Sequence, residues 1–146
     1  MPLLHDDAHR AALRTRLASL RPTSTRLWGK MSVDQMLWHV NAALQMALGR
    51  GNAKSAKPPL PLPIMRFMVI NLPWPKNSPT NPTLVPTEPC EFEKESALTP
   101  VLMEELARKE LGGDWGDHPL LGRMSGRQVS KLQAKHIDHH LRQFGV

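Results

Sequence analysis

The sequence predicts an all-α protein, a four-helix bundle with a long proline-rich connection between its second and third helices. Good helix formers such as Leu, Ala, Met and Gln are frequent, whereas Tyr is absent and aromatic residues are few. Four segments carry apolar residues at helical spacing. Most of the 14 prolines are concentrated in residues 58–100, which indicates one irregular connection. A length of 146 residues predicts a single domain, residues 1–146.

The first two predicted helices have clear start or stop signals. The first spans about residues 6–20, and its buried stripe consists of Leu13, Leu17 and Leu20. The second spans residues 32–48, because Ser32 followed three residues later by Gln35 is the pattern of a capping box. Gly49 ends this helix.

The connection that follows contains a short apolar stretch between two proline-rich segments. Residues 50–62 are basic and rich in proline, which is typical of a loop. Residues 64–72 are apolar and follow Pro63, a residue that suits the first turn of a helix, so we expect a short helix there. A buried strand is the alternative that periodicity does not exclude. Residues 73–89 are expected to form an extended loop across the molecule.

The third predicted helix has two possible starts. Thr99 and Pro100 resemble a helix cap and a first-turn proline, which predicts a helix over residues 99–111 that ends before Gly112. Alternatively, the helix begins near Phe92 and is kinked at Pro100. Residues 114–124 then form a loop.

The fourth predicted helix carries three of the seven histidines. It opens at about Gly126, where Ser125 and Gln128 form a second capping-box pattern, and Gly145 ends it. Its apolar seam consists of Val129, Leu132, His136, His140 and Phe144. Two histidines therefore occupy positions at which a bundle core favours leucine.

These two histidines, with a third on the second helix, predict a metal site. His136 and His140 are four residues apart, so their imidazoles lie about 40° apart around the helix axis and can bind one ion. His39 lies beside the buried seam of the second helix. A buried imidazole nitrogen without a partner costs roughly 1–3 kcal/mol, and a divalent ion would satisfy all three. Three neutral ligands leave a coordination position open, which is a catalytic pattern rather than a structural one.

Other histidines are possible secondary members of the site. His139 lies about 60° from His136 around the same helix, so it either replaces His136 or orients a ligand. His118 is expected either to approach the site from its loop or, as the simpler interpretation, to be held locally by the following Pro119. His5 and His9 repeat the four-residue spacing, but they lie at a helix start and are not expected to be ligands.

Two stretches of the chain resemble a known superfamily. The run KMSVDQMLWH, residues 30–39, resembles the second helix of the DinB-like superfamily of metal-binding four-helix bundles, and the runs HPLLGRMS (118–125) and KHIDHHLRQFG (135–145) resemble the end of one of its uncharacterised branches. The resemblance covers residues 8–145. It implies an antiparallel bundle that binds Zn²⁺ or Ni²⁺ through His39, His136 and His140. Relatives include S-transferases that use low-molecular-weight thiols, and many are dimers.

These features together lead to a functional expectation. We expect a divalent-metal protein, either a thiol S-transferase or a hydrolase acting on a small molecule, with a non-enzymatic sensor or scaffold as the alternative. No residue beside the metal can be assigned as a general base, so the catalytic residues stay unknown. The net charge of +6 permits a nucleic-acid partner, but no Lys/Arg run interleaved with aromatic residues supports one.

The expected location is the cytoplasm. A single cysteine, Cys90, cannot form an internal disulfide, which fits a reducing compartment. Residues 1–25 lack the apolar core of a signal peptide, and no 18-residue apolar run predicts a membrane span.

Overall fold

A computed structural model describes residues 2–51 and 53–146, and this part of the chain is mostly helical. The predicted all-α class is confirmed at that level. Two strands of two residues each pair antiparallel within residues 114–124, which were predicted to be a loop. Met1 and Asn52, the latter inside the predicted loop 50–62, lie outside the described residues. The elements in chain order are α1 (Asp7–Ala18), α2 (Val33–Ala47), α3 (Leu62–Asn71), α4 (Phe92–Arg108), β1 (Asp117–His118), β2 (Gly122–Arg123) and α5 (Gly126–Gln143).

The apolar core lies where α2 meets α4 and α5. Helix α1 also packs on α4 and on α5, whereas α3 lies against α5. Burial of the apolar side chains in this core is the main favourable contribution to folding, at roughly 25 cal/mol per Å² of apolar surface removed from water. The largest fully buried side chains include Leu13, Met36, Leu37, Leu44, Leu102, Met103, Leu106, Leu121, Ile137 and Leu141.

Capping boxes define the starts of α2 and α5, the two helices that carry the histidines. The backbone N–H of Ser32 donates to Gln35 Oε1 at 3.1 Å. At α5, the N–H of Ser125 donates to Gln128 Oε1 at 3.0 Å, and Ser125 Oγ accepts from the Gln128 N–H at 3.2 Å. These bonds satisfy N–H groups that a helix start leaves without partners, and they confirm Ser32 and Ser125 as the N-caps of the two helices.

Helix α4 begins at Phe92 and contains Pro100, so the alternative start is confirmed and the start at Thr99 is wrong. Proline removes one backbone donor, but long-range contacts hold the turns of the helix that precede it. Thr99 Oγ1 lies 2.7 Å from Asn41 Oδ1, and Asn41 Nδ2 donates to Glu95 Oε2 at 2.8 Å. This buried polar cluster joins α4 to α2. The helix ends at Arg108, three residues before the predicted end.

The proline-rich connection has more structure than the sequence predicted. Residues 62–71 form α3, which confirms a helix rather than a strand in this stretch. Beyond it, the extended segment contains one 3₁₀ turn, Pro82–Leu84, which packs on α2. Asn81 Oδ1 accepts from the Thr83 N–H at 3.0 Å and holds this turn. The turn places a backbone carbonyl beside the α2 histidine.

Among the described residues, none of the helices has the length and apolar character that crossing a membrane would require.

Candidate metal centre

Three imidazoles from two helices meet at one point in the interior. Helix α2 contributes His39, and consecutive turns of α5 contribute His136 and His140. The Nε2 atom of His136 lies 2.8 Å from Nε2 of His39 and 3.1 Å from Nε2 of His140. The ligand atoms of all three lie within 4.8 Å of one another. The sequence therefore predicted correctly which histidines come together.

Oxygen acceptors orient two of these rings from behind. The Nδ1–H of His39 donates to the Leu84 carbonyl at 2.7 Å, and that of His140 donates to Gln143 Oε1 at 2.7 Å. The Gln143 amide is itself fixed, because its Nε2 donates to the Trp28 carbonyl at 2.9 Å. A neutral imidazole carries one N–H, so the Nε2 atoms of His39 and His140 must both be lone-pair acceptors.

The cluster therefore lacks enough protons to satisfy its own nitrogens. Two acceptors, on His39 and His140, face the single Nε2 of His136, which can donate to only one of them. A second proton is disfavoured, because burial and the neighbouring imidazoles lower the pKa of His136 well below its usual value. Burial also lowers the pKa of His39, and it lowers that of His140 to about 3. All three rings are therefore neutral near pH 7.

A metal ion would resolve this mismatch, and the residues fit one. Imidazole nitrogens bind Zn²⁺ at about 2.0–2.1 Å, which sets tetrahedral ligand atoms about 3.3 Å apart. The two Nε2–Nε2 distances measured from His136, 2.8 and 3.1 Å, are close to that value. The Nδ1 contacts to Leu84 and Gln143 are of the same kind as the outer hydrogen bonds that orient histidine ligands in known metal sites.

Aromatic side chains surround the outer side of the cluster. The ring centroid of Trp74 lies 5.9 Å from that of His136 and 5.3 Å from that of His139. Trp28 contacts the other side of His139, with ring centroids 5.8 Å apart, and Lys76 Nζ lies 5.1 Å from the Trp28 ring. His139 is thus next to the centre but does not belong to the three-residue group of ligand atoms.

His118 is held within its own loop. Its Nδ1 accepts from the backbone N–H groups of Leu120 and Leu121 at 3.1 and 3.2 Å, and burial lowers its pKa to about 4. The local interpretation of this histidine therefore agrees with its contacts.

The first two histidines of the chain lie elsewhere. The Nε2–H of His5 donates to the Lys109 carbonyl at 2.8 Å, so its Nδ1 accepts from the Ser130 hydroxyl, also at 2.8 Å. This contact pins the N-terminal segment to α5. His9 Nε2 is buried without a hydrogen-bond partner among the described residues.

The sequence did not reveal the hydrogen-bond partners that orient His39 and His140. The Leu84 carbonyl lies 45 residues from His39, in a segment without a helical signal. Gln143 carried a usable signal, because it follows His140 by three residues on the same helix and can reach its ring. The tryptophans beside His139 come from two loops and had no predictive pattern.

Fold and site together define a mostly helical protein with a largely buried cluster of three neutral histidines. The family described as "Protein of unknown function (DUF1569)" matches residues 3–145, and the chain belongs to it. No curated protein and no solved structure shows significant similarity to the chain.

Proposed function

We propose that this protein binds a divalent metal ion through the Nε2 atoms of His39, His136 and His140. One observation carries the proposal: three neutral imidazoles converge with more acceptors than protons between them. An ion with two positive charges satisfies all three lone pairs at once. Adding a proton to the cluster does not do this as well, because burial disfavours the charged imidazolium. Zn²⁺ and Ni²⁺ are the ions that the donor set and the DinB-like resemblance favour.

Three neutral ligands leave the charge of such an ion uncompensated and one position open. A metal ion in this setting lowers the pKa of a bound water or thiol. The chain itself contributes the orientation of the ligands, through Leu84 and Gln143, and a partly aromatic surrounding, through Trp28 and Trp74. We propose a small-molecule substrate and a low-molecular-weight thiol as cosubstrate.

We also propose that α1, α2, α4 and α5 form a four-helix bundle of the DinB-like type. Packing supports this arrangement, because α1 and α2 each contact both α4 and α5, which closes a ring of four helices. Helix α3 and the proline-rich connection lie outside that ring, on α5 and α2. In this superfamily the metal ligands come from the second helix and the last helix of the bundle, which correspond to α2 and α5.

The proposed activity is a metal-dependent thiol S-transferase or hydrolase. No catalytic residue is assigned, because no carboxylate lies beside the cluster among the described contacts, and no contact gives the neighbouring His139 a role in proton transfer. The alternative is a metal- or ligand-binding sensor or scaffold without turnover. The same cluster supports both, so turnover distinguishes them.

Metal content and turnover test the two steps of the proposal separately. The protein purified without chelator is analysed by mass spectrometry for bound metal, beside the variants His39→Ala and His140→Ala and the control His5→Ala. We expect about one ion per chain in the parent and the control, and a loss in both cluster variants. A parent protein that neither carries nor takes up metal would refute metal binding. The metal-loaded protein is then assayed with a panel of thiols and electrophiles. Turnover supports an enzyme, whereas metal binding without turnover supports a sensor or scaffold.

Three further proposals accompany this function. The chain is proposed to form a homodimer, as many DinB-like proteins do, which light scattering of the purified protein tests. A cytoplasmic location is proposed from the single cysteine, Cys90, which is a free thiol in the structure. Nucleic acid is not the proposed partner. We therefore expect the protein not to bind DNA at about 0.15 M salt.

A further inference from the structure

A groove of about 510 Å³ runs between α3 and the first half of α5, apart from the histidine cluster. Phe67 and Ile70 of α3 and Leu3 of the N-terminal segment supply apolar surface to it. Helix α5 contributes Arg127 and Lys131 to the opposite side. The volume lies within the range of about 300–1,000 Å³ that is usual for small-molecule sites.

Three positive charges converge on this groove without a compensating acid. Arg66, Arg127 and Lys131 all line it, and no acidic residue does among the described residues that form its walls. Arg66 Nε donates to the Leu121 carbonyl at 2.7 Å, and Lys131 Nζ donates to Asn71 Oδ1 at 2.7 Å. Both partners are neutral, so they position the cations without cancelling their charge. Arg127 is exposed and forms no ion pair within residues 2–51 and 53–146.

Helix α3 exposes several large apolar side chains beside these charges. The Phe67 side chain is 60% exposed, and its neighbours Ile64 and Met68 are 49% and 40% exposed. Single exposed apolar residues are ordinary, but a contiguous set next to a concave groove marks a binding surface. An apolar floor beside uncompensated cations is complementary to a molecule with an anionic head and an apolar tail.

We propose that this groove binds a small anionic amphiphile, of which a short-chain alkyl carboxylate is the simplest form. Arg127 and Lys131 receive the carboxylate, and Phe67 with Ile70 contacts the alkyl chain. The concave shape fits a free molecule rather than a flat lipid surface. The site goes beyond the proposed metal function and does not depend on it.

Nuclear magnetic resonance titration with octanoate tests the proposal. EDTA is present throughout, so that the carboxylate does not bind through a metal ion. Octanol tests the tail without the charge, and acetate tests the charge without the tail. We expect saturable shifts of the backbone amides of Phe67, Asn71 and Gln128 with octanoate, and much weaker ones with octanol or acetate at equal concentration.

Matched variants separate the groove from general positive charge. Arg127→Gln with Lys131→Gln should weaken octanoate binding roughly 2- to 30-fold, as expected for the loss of two partly exposed ion pairs. The control Lys57→Gln with Lys94→Gln removes the same charge from two exposed side chains elsewhere and should leave binding unchanged. Phe67→Ser should weaken binding by removing the tail contact.

Several results would overturn the proposal. Absence of saturable shifts in the groove, an equal response to octanol, or an equal loss of binding in the control would each do so. Binding only to anionic phospholipid vesicles, and not to free octanoate, would assign the face to a membrane surface instead. The spectra also report whether each variant is folded, so a loss of binding is interpreted only for folded protein.

Discussion

Replacing His136 with leucine should affect the stability of the protein very differently with and without a divalent metal ion. His136 Nε2 contacts both other ligand nitrogens, at 2.8 and 3.1 Å. Without metal it can satisfy only one of them, so its removal costs about one hydrogen bond, roughly 1 kcal/mol. Leucine also relieves the burial of a polar ring, which opposes that loss. We expect the metal-free protein to change by about 1 kcal/mol or less.

With metal, the same replacement removes one of three ligands. A ligand at a thousandfold excess over its dissociation constant stabilises the folded state by about 4 kcal/mol. The parent should gain about that much when metal is added, and His136→Leu should lose most of the gain. The difference between the two conditions, rather than either stability alone, therefore measures the role of His136 in metal binding.

Urea unfolding in EDTA and in buffered excess Zn²⁺ provides the measurement. His9→Leu is the matched control, because His9 Nε2 is buried without a hydrogen-bond partner among the described residues and lies on α1. The control should show the full metal-dependent gain. A gain in stability from Zn²⁺ that is as large in His136→Leu as in the parent, or no gain in the parent, would contradict a role of His136 in metal binding.

Three further predictions concern the surroundings of the cluster. Gln143→Leu removes the acceptor of the His140 Nδ1–H and should weaken Zn²⁺ binding about 10- to 100-fold in competition titrations; an unchanged affinity would contradict this. In metal-free protein, burial lowers the pKa of His118 to about 4 and of His140 to about 3, below the value of about 6.5 in the unfolded chain. The unfolded chain therefore binds more protons than the folded protein below about pH 6.5. The free energy of unfolding should fall as the pH decreases, by roughly 2 kcal/mol per histidine at about pH 5. A urea midpoint that does not change with pH would contradict this. Asn41→Leu leaves the buried Glu95 carboxylate without its amide donor and should cost about 2–3 kcal/mol in urea unfolding, with Zn²⁺ affinity unchanged.

Local signals in the sequence were sufficient for the helices that carry the cluster. The capping boxes at Ser32 and Ser125 fix where α2 and α5 begin, and helical periodicity then fixes which histidines face inward. The convergence of His39 with the α5 pair followed from these two facts together with bundle packing. Metal binding at that point stays a prediction.

Features that depend on distant contacts were not predictable in the same way. Pro100 indicated a helix start, but Asn41 and Thr99 form a buried contact across α2 and α4 where the helix continues through the proline. The 3₁₀ turn beside His39 exists in a segment whose prolines indicated only an extended chain. The two-stranded pairing within residues 114–124 is shorter than any recognisable strand pattern.

The most direct test of the metal centre is anomalous X-ray diffraction from crystals of the protein grown with Zn²⁺ and measured on both sides of the zinc absorption edge. We expect one peak at about 2.0–2.1 Å from each Nε2 atom of His39, His136 and His140. No peak at that point, or a peak held by other side chains such as His118 or His139, would contradict it.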